Sequence, residues 1–256
     1  MKKSMRTAMA QKEKIIGTFM MLDSPEVLEL LSLAGFSLIC IDHEHGGWEQ
    51  VQWAHLIRTA EAAGAMPLIR VSGLVEAEIK TALDVGAAGV MIPGIDSAKA
   101  ARQAVALSKF PPVGRRGACP FVRANGYGLG DGAAYYGKAN EETALILLVE
   151  GKEGVEHFDE ILQVPGVDAV FFGPFDLSVS LGIPGDVTNP LVENAIRDML
   201  HKANEQGVYA GMLGTSPRAA AKWLRAGADY VLVMQDTLLL LDAATKAVQQ
   251  VRASLD

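Results

Sequence analysis

Apolar residues recur along this chain in short, near-continuous runs rich in β-branched side chains. They cover residues 15–21, 36–41, 66–71, 89–92, 144–149, 168–172, 208–213 and 230–234. Apolar runs of this length are what strands buried on both faces require. Between them, residues 25–33, 48–63, 75–85 and 217–226 carry apolar side chains at helical intervals. Ser24-Pro25, Ser97 and Ser216-Pro217 place a capping hydroxyl ahead of a first turn, two of them with proline at the first helical position. The helix ends share a phrase. Leu33-Ala34-Gly35-Phe36, Ala62-Ala63-Gly64-Ala65, Asp84-Val85-Gly86-Ala87, Glu205-Gln206-Gly207-Val208 and Arg225-Ala226-Gly227-Ala228 each set a glycine between helix and strand. Glycine there can take the left-handed conformation that stops a helix. One βα unit is therefore used repeatedly.

Repeated βα units predict a parallel sheet, and a length of 256 residues suits its closure into a (β/α)8 (TIM) barrel. An open doubly wound sheet would carry a glycine-rich dinucleotide turn after its first strand. Leu22-Asp23-Ser24-Pro25 stands there instead. The expected organisation is one domain over residues 1–256. Residues 110–140 interrupt the rhythm with Pro111-Pro112, many glycines, Arg115, Arg116, Arg123, Tyr127, Tyr135 and Tyr136. A connection longer than about 15 residues usually serves as a lid, a binding loop or an interface. Lying between the fourth and fifth strands, this one is expected to project from the barrel's mouth. The final helix, 238–255, is apolar along one side and suits packing on its own barrel or on a neighbour's.

Half of the residues are hydrophobic and the net charge is −7, with no basic run longer than Arg115-Arg116. That balance argues against a nucleic-acid or anionic-membrane partner. No run approaches the roughly 18 apolar residues that span a bilayer. The two cysteines, Cys40 and Cys119, do not make a disulfide framework. The apolar stretch at 15–22 carries no cleavage-like segment, so a cytoplasmic protein is expected.

In a barrel, reactive side chains stand at the carboxyl ends of strands. Asp42-His43-Glu44-His45 follows the second run, Arg70 ends the third and Pro93-Gly94 follows the fourth. Glu150-Gly151 follows the fifth, Gly173-Pro174-Phe175-Asp176 the sixth, Gly214-Thr215-Ser216 the seventh and Gln235-Asp236 the eighth. Asp-His-Glu-His alone has the look of a metal cluster. Taken over all the ends, acidic oxygens, an arginine and at least one histidine converge, which suits Mg2+ or Mn2+ better than zinc. Glu150 reads as a metal carboxylate or as an ion-pair partner of Arg70, since an unmatched carboxylate in so apolar a run is costly. Asp176 reads as a helix cap or as part of an anion site beside a tight Gly-Pro turn. His43 faces away from Asp42 by strand alternation. Glu44 is a partner for metal-bound water or a surface carboxylate. His55, His157 and His201 read as surface or partly packed residues, and Trp48, Trp53 and Trp223 as helix–barrel packing.

Taken in order, Asp42-His43-Glu44-His45-Gly46, Arg70, Leu83-Asp84-Val85-Gly86, Pro112-Val113-Gly114-Arg115-Arg116-Gly117, Glu150 and Gly173-Pro174-Phe175-Asp176-Leu177-Ser178 resemble the class II pyruvate aldolases of the HpcH/HpaI family. The resemblance runs over about residues 15–250. Family members include 4-hydroxy-2-oxoheptanedioate, 2-dehydro-3-deoxyglucarate and 2-keto-3-deoxy-rhamnonate aldolases. It implies a lyase of aromatic or sugar-acid catabolism that interconverts a 4-hydroxy-2-oxo acid with pyruvate and a small aldehyde, through a metal-stabilised pyruvate enolate. It implies Glu150 and Asp176 as carboxylates for Mg2+, Mn2+ or Co2+, with no organic cofactor. His45 would be the general base and Asp84 its supporting carboxylate. Arg70 would steady the enolate oxygen, and Gly173, Pro174, Phe175 and Asp176 would bind the pyruvate end. Asp42 and Glu44 would shape the surroundings of His45. The last helix would be exchanged between subunits of a homo-hexamer built as a trimer of dimers. One departure is Leu148, where the family has glutamine two residues before the metal glutamate. Two alternatives remain. A class I Schiff-base aldolase needs a desolvated lysine, and only Lys152 lies near a strand end. A non-catalytic keto-acid-binding barrel would have no need of His45. Phosphate sites of this fold use the loops after strands seven and eight. Asp236 there makes an unphosphorylated substrate the expectation.

Overall fold

The computed structural model describes residues 4–47 and 49–255; Trp48, expected to pack helix on barrel, lies outside them. The strands are β1 (Ile15–Met20), β2 (Leu38–Asp42), β3 (Met66–Arg70), β4 (Gly89–Ile92), β5 (Ala144–Val149), β6 (Ala169–Phe172), β7 (Tyr209–Gly214) and β8 (Tyr230–Gln235). They pair in parallel in sequence order, and β8 returns to β1 to close the barrel. The helices are α1 (Met5–Ala10), α2 (Pro25–Leu33), α3 (Trp53–Ala62), α4 (Glu76–Asp84), α5 (Ala98–Ser108), α6 (Gly132–Glu142), α7 (Lys152–Glu156), α8 (Phe158–Leu162), α9 (Pro174–Ser180), α10 (Pro190–Glu205), α11 (Pro217–Arg225) and α12 (Asp236–Ala253). The chain is thus the expected (β/α)8 barrel.

Strand alternation sorts the core into two layers. Leu38, Cys40, Met66, Leu68, Met91, Ile146, Leu148, Phe171 and Leu232 point into the barrel, where Met5 and Ala8 of α1 close the bottom. Ile39, Ile41, Ile69, Val90, Leu145, Leu147, Val170 and Val231 point outward under the helices. Each such side chain contributes roughly 1.5–3 kcal/mol when removed from water. Near the bottom the Tyr209 and Tyr230 rings stack at 5.5 Å. Gly211 is required beside them, because a Cβ there would lie 2.1 Å from Tyr230 Cζ.

The expected punctuation is present. Ser24, Ser97 and Ser216 accept from the N–H of Val27, Ala100 and Ala219. The five glycines of the repeated phrase all have positive φ, from +70° to +111°. A buried ion pair ties down the lower end of the barrel. Lys109, 2 % exposed, donates to Asp168 at 2.7 Å and to the carbonyl of Thr143 at 2.8 Å. Asp168 also receives Leu145 N–H and Arg6.

The long interruption is placed differently from the expectation. It follows α5 rather than β4, and α5 has already carried the chain back to the amino ends of the strands. Residues 110–140 therefore lie away from their own barrel's mouth and hold a 3-10 turn (Arg123–Gly128) and most of α6. Arg123 pairs with Glu61 and donates to the Val85 carbonyl at 2.8 Å. At the other end of the chain, α12 begins at buried Asp236, and from Leu240 to Leu255 every residue is exposed. No helix among the described residues is long and apolar enough to cross a membrane.

Candidate active site

The inward-facing parity that fills the barrel with apolar side chains delivers charge at its upper rim. Asp42 follows Leu38 and Cys40 on β2, Arg70 follows Met66 and Leu68 on β3, and Glu150 follows Ile146 and Leu148 of β5. Asp42 and Arg70 are register partners. The guanidinium grips the Asp42 carboxylate in bidentate fashion, Nε to Oδ1 at 2.9 Å and Nη2 to Oδ2 at 2.6 Å. Its third nitrogen, Nη1, lies 3.1 Å from Glu44 Oε2. Below it, the Phe19 ring centroid is 4.6 Å from Cζ. Held on three edges and one face, Arg70 has little rotational freedom, which is what a fixed positive charge needs.

Asp42 also builds the turn that follows it. Its Oδ1 accepts the N–H groups of Glu44 and His45 at 3.1 and 3.3 Å, an Asx turn. His43 N–H donates to the Arg70 carbonyl at 2.9 Å. The His43 ring turns outward against Trp53, centroids 4.8 Å apart. His45 is left exposed at the mouth.

Across from this turn, Glu150 Oε1 accepts the Gly94 N–H at 3.0 Å. Burial, reinforced by the negative charges of Asp176 and Glu44 and opposed by the Gly94 N–H and Arg70, pushes the Glu150 carboxyl up to about 7. Glu44 is likewise raised, by burial first, with Arg70 pulling the other way. Gly173 is required here for room: a Cβ would sit 2.8 Å from Glu150 Oε2 and 3.0 Å from its Cβ. Leu148 Cδ1 borders the same space at 3.4 Å, so the floor beside Glu150 is apolar.

This donor set fits a hard divalent cation. Asp176 is near enough for its negative charge to help raise the Glu150 carboxyl, and the neighbouring cation, Arg70, is engaged by Asp42 and Glu44. Among the described residues, no group of three or more His, Cys, Asp or Glu side chains is set to hold an ion on its own. Mg2+ commonly binds through one or two carboxylates, with water and substrate completing its shell.

Several expectations are corrected. Asp42-His43-Glu44-His45 is not a metal cluster, because Asp42 and Glu44 bind Arg70 and His43 faces outward. Glu150 does not pair with Arg70 directly. Asp176 is not the cap of its helix; Gly173 occupies that position. Of the Gly173–Phe175 turn, Gly173 N–H is directed at the Val149 carbonyl at 3.4 Å and Pro174 has none. That leaves Phe175 and Asp176 as the N–H groups of the turn. Asp84 closes α4 at the amino ends of the strands and pairs with Arg116 at 2.6 Å, so it does not support His45 of its own chain. Lys152 is 58 % exposed and paired with Glu156, not desolvated as a Schiff-base lysine must be.

Two contributors carried little signal in the sequence. Gly94 acts through its backbone, and Phe19 looks like any inward strand residue.

Residues 15–243 match the HpcH/HpaI aldolase/citrate lyase family. The chain is 36% identical over 229 residues to 2-keto-3-deoxy-L-rhamnonate aldolase of Salmonella gallinarum, covering 89% of this chain and 85% of that one. It is 33% identical over 231 residues to 2-dehydro-3,6-dideoxy-6-sulfogluconate aldolase of Pseudomonas putida, covering 90% of each. The crystal structure of an HpcH/HpaI aldolase from Desulfitobacterium hafniense superposes with a TM-score of 0.92 at 30% identity, covering 97% of this chain and 96% of that one. With the barrel and its rim of charge already in place, these likenesses make the chain an enzyme of the aldolase type and a member of the HpcH/HpaI aldolase/citrate lyase family.

Proposed function

We propose that the protein is a class II pyruvate aldolase: it cleaves a 4-hydroxy-2-oxo acid to pyruvate and an aldehyde, and runs the reverse condensation. The observation that carries this reading is Glu150, a carboxylate raised to about 7 beside Asp176 and Glu44, facing an immobilised arginine. The relatives named for 2-keto-3-deoxy-L-rhamnonate and 2-dehydro-3,6-dideoxy-6-sulfogluconate support a 2-oxo acid substrate.

Glu150 and Asp176 would hold Mg2+, Mn2+ or Co2+. Bound there, a divalent ion supplies Lewis acidity at the 2-keto oxygen. Arg70 adds a fixed positive charge where the enolate oxygen develops, and its rigid seating means no reorganisation at that moment. The Phe175 and Asp176 N–H groups face the pyruvate carboxylate. In cleavage, His45 takes the proton of the 4-hydroxyl, directly or through water, as the bond between C3 and C4 breaks, and that proton then goes to C3 of the enolate to complete the methyl group of pyruvate; in condensation a methyl proton is taken from C3 and the new 4-oxygen receives it. An imidazole nitrogen can both accept and give up a proton, so one side chain serves both directions.

Assembly belongs to the same reading. Leu238, Leu240, Leu241, Val248 and Val251 are exposed along α12, and Leu255 just beyond it, an apolar face consistent with exchange between subunits of a homo-oligomer, a hexamer built as a trimer of dimers. Asp84 can support a His45 base only from a neighbouring copy, since its own lies at the other end of the barrel.

The test is exchange of the pyruvate methyl protons in D2O. With Mn2+ or Mg2+ the protein should catalyse exchange, and EDTA should abolish it. Activity that survives EDTA, or trapping of pyruvate on the protein by borohydride, would refute metal dependence.

A further inference from the structure

The end of β8 contains an irregularity that the reaction as described does not use. Against β1, Gly17 pairs with Leu232 but Phe19 pairs with Gln235. Val233 and Met234 therefore lie opposite the single residue Thr18, which is a β-bulge. Met234 sits at φ +58°, in the left-handed region. A side chain there costs about 1–2 kcal/mol. The bulge is built in, because buried Thr18 donates from Oγ1 to the Val233 carbonyl at 2.9 Å. Bulges of this kind re-aim the residues that follow. Uninterrupted alternation would put Asp236 on the inward face with Tyr230 and Leu232. The extra residue reverses that parity and turns Asp236 toward the segment after β1.

Asp236 is 2 % exposed, and both its oxygens are engaged. Oδ1 accepts Met21 N–H at 3.0 Å and Thr237 N–H at 2.7 Å, and Oδ2 accepts Leu22 N–H at 2.8 Å. The turn from Met21 to Ser24 is thereby fixed to the start of α12. Asp23, on the same turn, accepts from Gln52 Nε2, and Gln52 Oε1 accepts Glu49 N–H at 2.8 Å. A belt of hydrogen bonds thus runs from β8 across the loop after β1 to the segment that follows His45. Glu150 and Asp176 stand on the other side of the mouth, since β5 is four strands from β1 in the closed order.

On the aldolase reading above, we propose that Asp236 is a positioning residue for the aldehyde. It holds the 21–24 turn as the wall against which the acceptor half of the substrate lies, and it takes no part in activating pyruvate. The substrate is anchored at its pyruvate end on the β5–β6 side, so its remaining carbons extend toward this turn. The two halves of the reaction are therefore separable.

The experiment compares Asp236→Ala and Asp236→Asn with the wild type, as full-length protein with Mn2+. Two rates are read: condensation of pyruvate with lactaldehyde and with glycolaldehyde, and deuterium exchange into pyruvate without aldehyde. Asp236→Ala should raise the aldehyde KM by about tenfold or more, the scale expected when a substrate-positioning wall shifts. Exchange and the pyruvate KM should stay at wild-type values. Asp236→Asn keeps one acceptor oxygen and should recover part of the loss. If Asp236→Ala does not fold, Thr18→Val, which frees the bulge carbonyl but leaves Asp236 in place, should give the same split in weaker form. A parallel fall in exchange and condensation overturns the inference, and so does an unchanged aldehyde KM. A wild type that fails to exchange pyruvate protons overturns the aldolase reading itself, and the two failures are distinct.

Discussion

The carboxylate of Glu150 is ionised at the expense of the fold, and the cost can be measured. Burial first, then Asp176 and Glu44, lift it from an ordinary 4.5 to about 7. Below about pH 4.5 the group is protonated in folded and unfolded chains alike and costs nothing. Between that pH and about 7 the folded chain keeps a proton that the unfolded chain has released, so stability falls as pH rises. Above about 7 the loss is complete. The interval corresponds to roughly 3 kcal/mol, an upper limit because the carboxylate is not wholly enclosed. Glu150→Gln replaces the charge with a neutral isostere whose oxygen still accepts from Gly94. In EDTA at pH 8, urea denaturation should find the variant about 2–3 kcal/mol more stable than the wild type. At pH 5 the gap should shrink below about 1 kcal/mol. Mn2+ should then stabilise the wild type at pH 8 and leave the variant unmoved, because only the carboxylate gains by binding it. Equal stability at pH 8, a gap undiminished at pH 5, or a Mn2+ response that survives the substitution would refute the reasoning.

Other substitutions separate the remaining roles. His45→Ala should keep the Mn2+-induced rise in melting midpoint while aldol cleavage, followed by pyruvate release, falls by about 10²–10⁴; loss of the Mn2+ response would make His45 a ligand. Gly173→Ala should drive a methyl into Glu150, lowering stability by about 1–3 kcal/mol in urea titrations and abolishing the Mn2+ response. Lys109→Met removes one partner of the buried pair with Asp168 and should cost about 3 kcal/mol, with kcat of the folded fraction unchanged. A variant as stable as the wild type would mean that Arg6 alone satisfies Asp168.

Local chemistry made much of the chain legible. Serine caps, helix-stopping glycines and doubly buried apolar runs act within a few residues, so the eight strands and the ends of the capped helices could be read directly, while the helix expected over 48–63 begins only at Trp53. Strand parity likewise placed Asp42, Arg70 and Glu150 together at one end, because a period of two is fixed by the backbone. The partners of those charges were a different matter. Which carboxylate Arg70 holds depends on the register of β2 against β3, where Asp42 lies directly opposite. The direction in which residues 110–140 leave the barrel was decided by α5, which returns the chain before the segment begins. Asp84 was read from its motif as a neighbour of His45, but helix direction places it at the opposite end, on Arg116. Asp236 shows the limit most plainly. The sequence marked it only as an acidic residue after the eighth run, and only the bulge in β8, a mismatch between two strands far apart in sequence, turns its carboxylate onto the loop after β1. The sequence by itself determined the units and the face on which charge would gather. The tertiary structure decided which charges meet, since pairing across strands and helices depends on register and closure that no single segment encodes.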